Sequence, residues 1–293
     1  MSVSTAAPRA RSRALPLSAL LAHRGILIGG TIILFFVLLA ILAPWLTDYS
    51  PYAPDIKARL KPPFWDEGTV AGHPLGTDQL GRDYLTRLLY GARISLVIGL
   101  FAVAISSVIG ITLGLIAGYF GGKVDAFISF IITTRLSMPV ILIALAVVAI
   151  AGGSLTTVIL VIGFLIWDQF AVVARSATQQ VRSAEYVRSA EALGCSLPHI
   201  LLREILPNIA PALIVVATVE LANAILLEAA LSFLGLGVQA PLPSWGLMLS
   251  EAKNFMFFDP WLITLPGVCL FVLTIAINLA GDGLRDVTRG VRR

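Results

Sequence analysis

The sequence predicts an all-α integral membrane protein with about six transmembrane helices, and three observations support this. Of 293 residues, 57% are hydrophobic and only 13% are charged, about half the roughly 25% charged residues of a soluble domain. The apolar residues gather into runs of the length a bilayer crossing needs, about 20 residues. Backbone N–H and C=O groups in hydrocarbon must be paired within their own segment, so such runs form helices. With a mean hydropathy of +0.89, a large soluble core is excluded.

The first span runs from Gly25 to about Leu46 and holds no charge. The second begins at Ile94, after Arg93, and reaches about Phe120; the third covers about Ala126 to Ala151 and ends at Gly152-Gly153-Ser154. The fourth runs from about Leu155 to Ala174, the fifth from about Ile209 to Ala230, and the sixth from about Trp261 to Gly281. In domain terms the reading is a tail at 1–24, a first helix at 25–46, an outer loop at 47–91, a core at 92–282 with five spans and an inner loop at 175–208, and a tail at 283–293.

Lysine and arginine placement sets orientation. Arg9, Arg11, Arg13 and Arg24 lead the chain, and the run behind them is too long for a cleaved signal and lacks a small-residue cleavage site. Lys123, the segment from Arg175 to Asn208 and the Arg285–Arg293 tail fall on the same side and, together with that lead, hold most of the basic residues. Both termini are therefore expected in the cytoplasm, in the lipid bilayer of a bacterial or archaeal plasma (inner) membrane. The net charge of +4 does not indicate nucleic acid, because the cations sit between apolar runs rather than on one face. Cys195 and Cys269 lie in dissimilar settings and imply no disulfide framework. His23, His73 and His199 are scattered, so no metal site is expected.

The outer loop opens with Pro51, Pro54, Pro62 and Pro63, which favour extended chain and turns. After Thr77 or Asp78, either of which can cap a helix, Leu80, Tyr84, Leu85, Leu88 and Leu89 recur at helical spacing. That pattern predicts an amphipathic surface helix feeding span two, serving as a lead-in or as a receiver of substrate. The inner loop is long for a compact bundle. Arg175 to Leu193 has no Gly or Pro, and Tyr186, Val187, Ala190 and Leu193 form a narrow apolar stripe. Gly194 can take the left-handed conformation that ends a helix. Ser196 can cap the next, with Pro198 in its first turn and Pro207 at its end. Helix, sharp turn and helix then project inward, either as an interaction knob or as a long connection.

These residues carry a resemblance. Ser189-Ala190-Glu191-Ala192-Leu193-Gly194, with Leu206-Pro207 at a fixed interval, resembles the EAA loop of binding-protein-dependent ABC permeases. In that pattern Glu-Ala-Ala is followed by three residues, Gly, nine residues, Ile, one residue and Leu-Pro. Arg188 and Ser189 stand where the first Glu and Ala would be, and Glu204 stands where Ile is usual; the departures lie outside the turn. Three further stretches look like the C-type subunit of the dipeptide, oligopeptide and nickel permeases. They are His73–Asp83 with Tyr90–Leu96, Leu231–Gly237 with Pro243-Ser244-Trp245-Gly246, and Gly281–Asp286.

The resemblance implies a type I ABC importer permease fold. It implies pairing with a second homologous permease, two ATPase subunits that bind ATP and Mg, and an extracytoplasmic substrate-binding protein. The ATPase-coupling residues it implies are Ala190, Glu191, Ala192, Leu193, Gly194, Cys195, Ser196, Leu197, Pro198 and His199. Peptides are the implied cargo, with nickel complexes, haem or another small solute as alternatives. The residues themselves agree with the division of labour. A phosphate-binding loop needs Gly-Lys followed by Ser or Thr, and the sole Gly-Lys, Gly122-Lys123, precedes Val124. No cofactor and no catalytic residue are expected in this chain.

Charge inside a bilayer needs a partner or a pathway. Asp168 and Gln169 fall late in span four, Glu220 and Asn223 share a face of span five, and Arg135 lies in span three. They either line a substrate route or pair between helices, Arg135 with one of the acids for instance. Asn278 sits near the inner end of span six, and Glu228 is expected near the outer surface, where water could solvate it. Gly110, Gly114 and Gly118 recur at a spacing that allows close helix approach. Two other classes compete. An ion-coupled secondary transporter would show repeats and midplane ion sites, and a membrane enzyme would show a clustered nucleophile or metal set; neither is evident.

Overall fold

The computed structural model describes residues 23–290. Most of the 1–24 tail and the last residues of the 283–293 tail therefore lie outside the described residues. The chain forms α1 (Arg24–Leu46), α2 (Tyr84–Phe120), α3 (Gly122–Leu136), α4 (Val140–Ala151), α5 (Leu155–Leu165), α6 (Asp168–Val181), α7 (Glu185–Ala192), α8 (Leu197–Phe233), α9 (Trp245–Ala252) and α10 (Trp261–Gly290). Among the described residues five stretches are long and apolar enough to cross a membrane, and the bent pair α3–α4, counted as one span, brings the number to six.

Four expectations about continuity change. Span three is not one helix: α3 and α4 meet at 82°. Ser137 and Met138 turn the chain and Pro139 precedes α4, because the residue before a proline is pushed out of the helical region. Span four breaks at Ile166–Trp167 into α5 and α6. The helix expected over 175–193 breaks at 182–184 into α6 and α7. Conversely, Pro207 does not end a helix. A proline lacks the N–H and crowds the preceding turn, and α8 passes it by widening into a π turn at Ile200–Ile205, where Leu206 N–H donates to the Leu201 carbonyl. The Asn208 amide adds a bond to Glu204 O at 2.6 Å.

The amphipathic lead-in and span two are likewise one element. Asp83, rather than Thr77 or Asp78, caps α2, accepting from Thr86 N at 2.7 Å. At 37 residues and 1.5 Å per residue, α2 is about 55 Å long, well beyond a hydrocarbon core of about 30 Å. Helix α8 is as long, so both project past the bilayer.

Glycines set the central seam. A Cβ on Gly110, Gly114 or Gly118 would lie 2.6 Å from Phe170 Cβ, 2.5 Å from Ala174 Cβ and 2.6 Å from Thr178 Cβ. Helices α2 and α6 therefore touch backbone to backbone, the packing their spacing predicts. Helix α1 packs antiparallel on α10, with Gly29 against Ala280 and His23 3.6 Å from Asp286. Helix α10 runs parallel to α2, since Tyr84 stacks edge-on to Trp261 and donates to the Leu262 carbonyl. Both ends of the described chain thus share the end at which α2 finishes.

At the opposite end the 73–83 segment is tied down by charge. Asp78 accepts from Arg82 Nε at 2.7 Å and from Arg87, while Glu251 of α9 lies 2.7 Å from Arg87 and 3.2 Å from Arg82. Arg82, Arg87 and Asp78 are buried. His73 meets Asp83 at 2.9 Å. A second knot surrounds Glu228, which is wholly buried rather than solvated as expected. It accepts from Ser232 and Ser244, each at 2.8 Å, and Ser95 lies 3.5 Å away.

Candidate functional site

Between α6 and α8 the bundle leaves a polar face. Helix α6 begins at the chain break after Leu165, which places Asp168 in its first turn, where a carboxylate complements the helix dipole. Glu220 and Asn223 stand one turn apart on α8, 3.3 Å from carboxylate to amide. Asp168, Gln169, Glu220 and Asn223 line a single cleft of about 510 Å³, together with Arg135 of α3. A second cleft of about 600 Å³ shares Gln169, Glu220 and Asn223 and continues to Arg285 and Thr288 on α10. The structure thus brings the four predicted polar residues together. It does not pair Arg135 with an acid: the guanidinium donates to the Leu165 carbonyl exposed by the α5–α6 break. Arg285 and Thr288 were not expected at the site, because the sixth span was expected to end at Gly281, whereas the helix itself continues to Gly290.

The second candidate site is the elbow between α7 and α8. Helix α7 ends in a Schellman motif: Cys195 N–H donates to Ala190 O and Gly194 N–H to Glu191 O, both at 3.0 Å. Gly194 has φ +75°, the left-handed value expected of it. Among the described residues nothing lies within 4 Å of a Cβ built there, so the glycine answers to backbone conformation. Ser196 occupies the cap position of α8, but its hydroxyl makes no cap bond, contrary to expectation.

The elbow is anchored on one side only. Val187 and Ala190 are buried with Ile200, Ile205, Ile209, Leu115 and Ala174. Burial, with Glu204 beside it, holds the Tyr186 phenol above its usual range. Glu191 accepts from Tyr119 at 2.7 Å. Arg182 donates to the Tyr119 carbonyl at 3.2 Å, placing a cation at the C-terminus of α2. On the outer side Glu191, Ala192, Leu193, Gly194, Ser196, Leu197 and Pro198 are exposed, while Cys195 and His199 are half-buried. Leu193 is 83% exposed, so the predicted stripe splits: Val187 and Ala190 face the bundle and Leu193 does not.

Comparison with known proteins places this architecture. The family described as "Binding-protein-dependent transport system inner membrane component" matches residues 110–289. The "N-terminal TM domain of oligopeptide transport permease C" matches residues 17–63. The chain is 41% identical to the dipeptide transport system permease protein DppC of Haemophilus influenzae, over 90% of each chain. It is 43% identical to DppC of Alkalihalophilus pseudofirmus, over 89% of this chain and 84% of that one. It is 39% identical to the glutathione transport system permease protein GsiD of Pectobacterium atrosepticum, over 86% and 83%. Among solved structures, an inward-facing MetNI methionine ABC transporter chain superposes with a TM-score of 0.56 at 21% identity, covering 71% of this chain and 97% of that one; this likeness concerns the fold.

Proposed function

The chain belongs to the binding-protein-dependent transport system inner membrane components, and from that premise we propose that it is a permease subunit of an ATP-driven importer of peptides. It forms half of a transmembrane pathway with a second, homologous permease. Two ATPase subunits, holding ATP and Mg, dock beneath it, and an extracytoplasmic binding protein delivers the peptide. The setting is the plasma (inner) membrane, with the elbow and both termini in the cytoplasm.

The observation that carries this reading is the elbow: a turn held from within by Val187 and Ala190 and exposed on its outer face from Ala192 to Gly194. A long connection has no need of such a mounting. A docking element does, because an exposed apolar side chain such as Leu193 is favourable when a partner covers it. Of the ten residues from Ala190 to His199, Ala190 is the buried anchor and the nine from Glu191 to His199 make the contact. Closure of the ATPases displaces the elbow, and α8 carries that displacement some 35 Å or more to Glu220 and Asn223. Helices that pack in discrete arrangements transmit such shifts without dissipating them.

Proteoliposomes holding the complex, with ATP inside and the peptide-loaded binding protein outside, test the reading. Uptake should require ATP and the binding protein together. Uptake by this chain alone, driven by an ion gradient, would contradict it.

A further inference from the structure

A peptide crossing a bilayer carries opposite charges at its two ends, and neither is tolerated in an apolar setting without a partner. The 510 Å³ cleft offers both partners, and its size falls within the range of small-molecule sites, about 300–1,000 Å³. Asp168 is only 7% exposed and Glu220 only 4%. Asp168 forms no ion pair among the described residues, although it lines the cavity. Arg135 spends one terminal nitrogen on the Leu165 carbonyl, and its buried Nε has no partner among the described residues. Two carboxylates and a guanidinium thus share one cavity without pairing with each other.

We infer that this cleft is a binding site for the peptide zwitterion, in which Asp168 and Glu220 receive the α-ammonium group and Arg135 the α-carboxylate. The assignment rests on the peptide-import reading and adds to it a site on this chain that reads both ends of the cargo. Gln169 and Asn223 are exposed amides that hydrogen-bond the peptide unit between those ends. The adjoining 600 Å³ cleft gives the exit: it starts at the same Glu220 and Asn223 and ends at Arg285, toward the elbow end. A carboxylate leaving Arg135 therefore meets a second cation on its way inward. A site this open binds weakly, which transport requires, since a solute held tightly does not leave.

A purely structural role for Asp168, complementing the dipole of α6, would leave ligand ends unread, and labelling separates the two. The probe is the intact complex in phospholipid nanodiscs without binding protein, carrying Leu226→Cys, an exposed lining position of the cleft outside the proposed contacts, together with Cys195→Ser and Cys269→Ala. A neutral maleimide labels Cys at position 226, and the rate is measured alone, with dialanine, with dialanine amide and with N-acetyl-dialanine amide. At about four times its Kd, dialanine should slow labelling about five-fold by simple occupancy, while the doubly capped peptide leaves the rate unchanged. Adding Asp168→Asn should remove protection by dialanine amide, which retains only the ammonium end. Adding Arg135→Gln should leave that protection in place while weakening protection by dialanine. Equal protection by dialanine and the doubly capped peptide, no protection by either, or protection indifferent to both substitutions would overturn the site. The unliganded labelling rate reports folding of each variant. ATP hydrolysis stimulated by the peptide-loaded binding protein tests the importer reading separately: its absence in the unsubstituted complex sinks that reading, whereas its presence without end-specific protection sinks the site alone.

Discussion

The two ends of this bundle are built on opposite principles. At the end where α2 begins, charge is buried and tied: Asp78, Arg82, Arg87 and Glu251 join the 73–83 segment to α2 and α9, and Glu228 gathers serine hydroxyls from α2, α8 and the approach to α9. At the elbow end the ionic contacts are only partly buried, as between Arg175 and Asp125, and the outer side of the α7–α8 turn is exposed from Ala192 to Gly194. Buried ion pairs are weak sources of stability but fix relative geometry, and breaking one leaves an uncompensated charge. An exposed turn on a rigid mount adds little to folding and is free to serve a partner. The difference teaches where to look for movement: one end is a frame and the other a handle.

The sharpest way to break that contrast is to attack the seam joining the two ends. Gly114→Val adds atoms where a Cβ would already lie 2.5 Å from Ala174. Overpacking of this kind typically costs about 1–3 kcal/mol and more where backbone is in the way. We expect loss of the monodisperse, detergent-solubilised protein on size-exclusion chromatography. Next comes the frame. Arg87→Met removes the more deeply buried of the two cations that Asp78 and Glu251 share and leaves Arg82 alone between them; it should lower stability by up to about 3–5 kcal/mol, seen as an earlier thermal unfolding transition. Glu228→Met keeps the volume but leaves the Ser232 and Ser244 hydroxyls without their shared acceptor. A buried donor left unsatisfied costs about 1–3 kcal/mol, and the melting point should fall by less than in Arg87→Met. The handle should respond in the opposite way. Gly194→Val strains a backbone at φ +75°, a local penalty of about 1–3 kcal/mol. Insertion and assembly should survive while ATP-driven uptake is abolished. Normal uptake in that variant would remove the need for a tight turn.

Much of the frame and part of the handle were legible in the sequence. The apolar runs gave the spans, and the Gly110–Gly114–Gly118 spacing gave the α2–α6 seam. Gly194, followed by Ser196 and Pro198, gave the turn, because a positive φ is a local property that a local signal can report. What escaped notice depends on distance along the chain. Glu228 reads as a surface acid until Ser95, 133 positions away, and Ser244 arrive beside it. The break at Ile166–Trp167 carries no Gly or Pro and shows only once α6 packs on α2. Pro207 misled in the other direction, since a single π turn absorbs it. At the candidate site the acids and amides were visible as polar residues in apolar runs. That they share one cleft with Arg135, and a second with Arg285, follows from helix packing alone.

The claim on which the rest stands is that the bare turn is the handle an ATP-hydrolysing partner moves. Replacing Leu193 with Cys and cross-linking the assembled transporter during turnover measures this directly. The account predicts a covalent adduct between position 193 and an ATPase subunit, with peptide uptake arrested in proportion to the yield. Full labelling of position 193 by a bulky reagent, with no adduct and no loss of uptake, would contradict it.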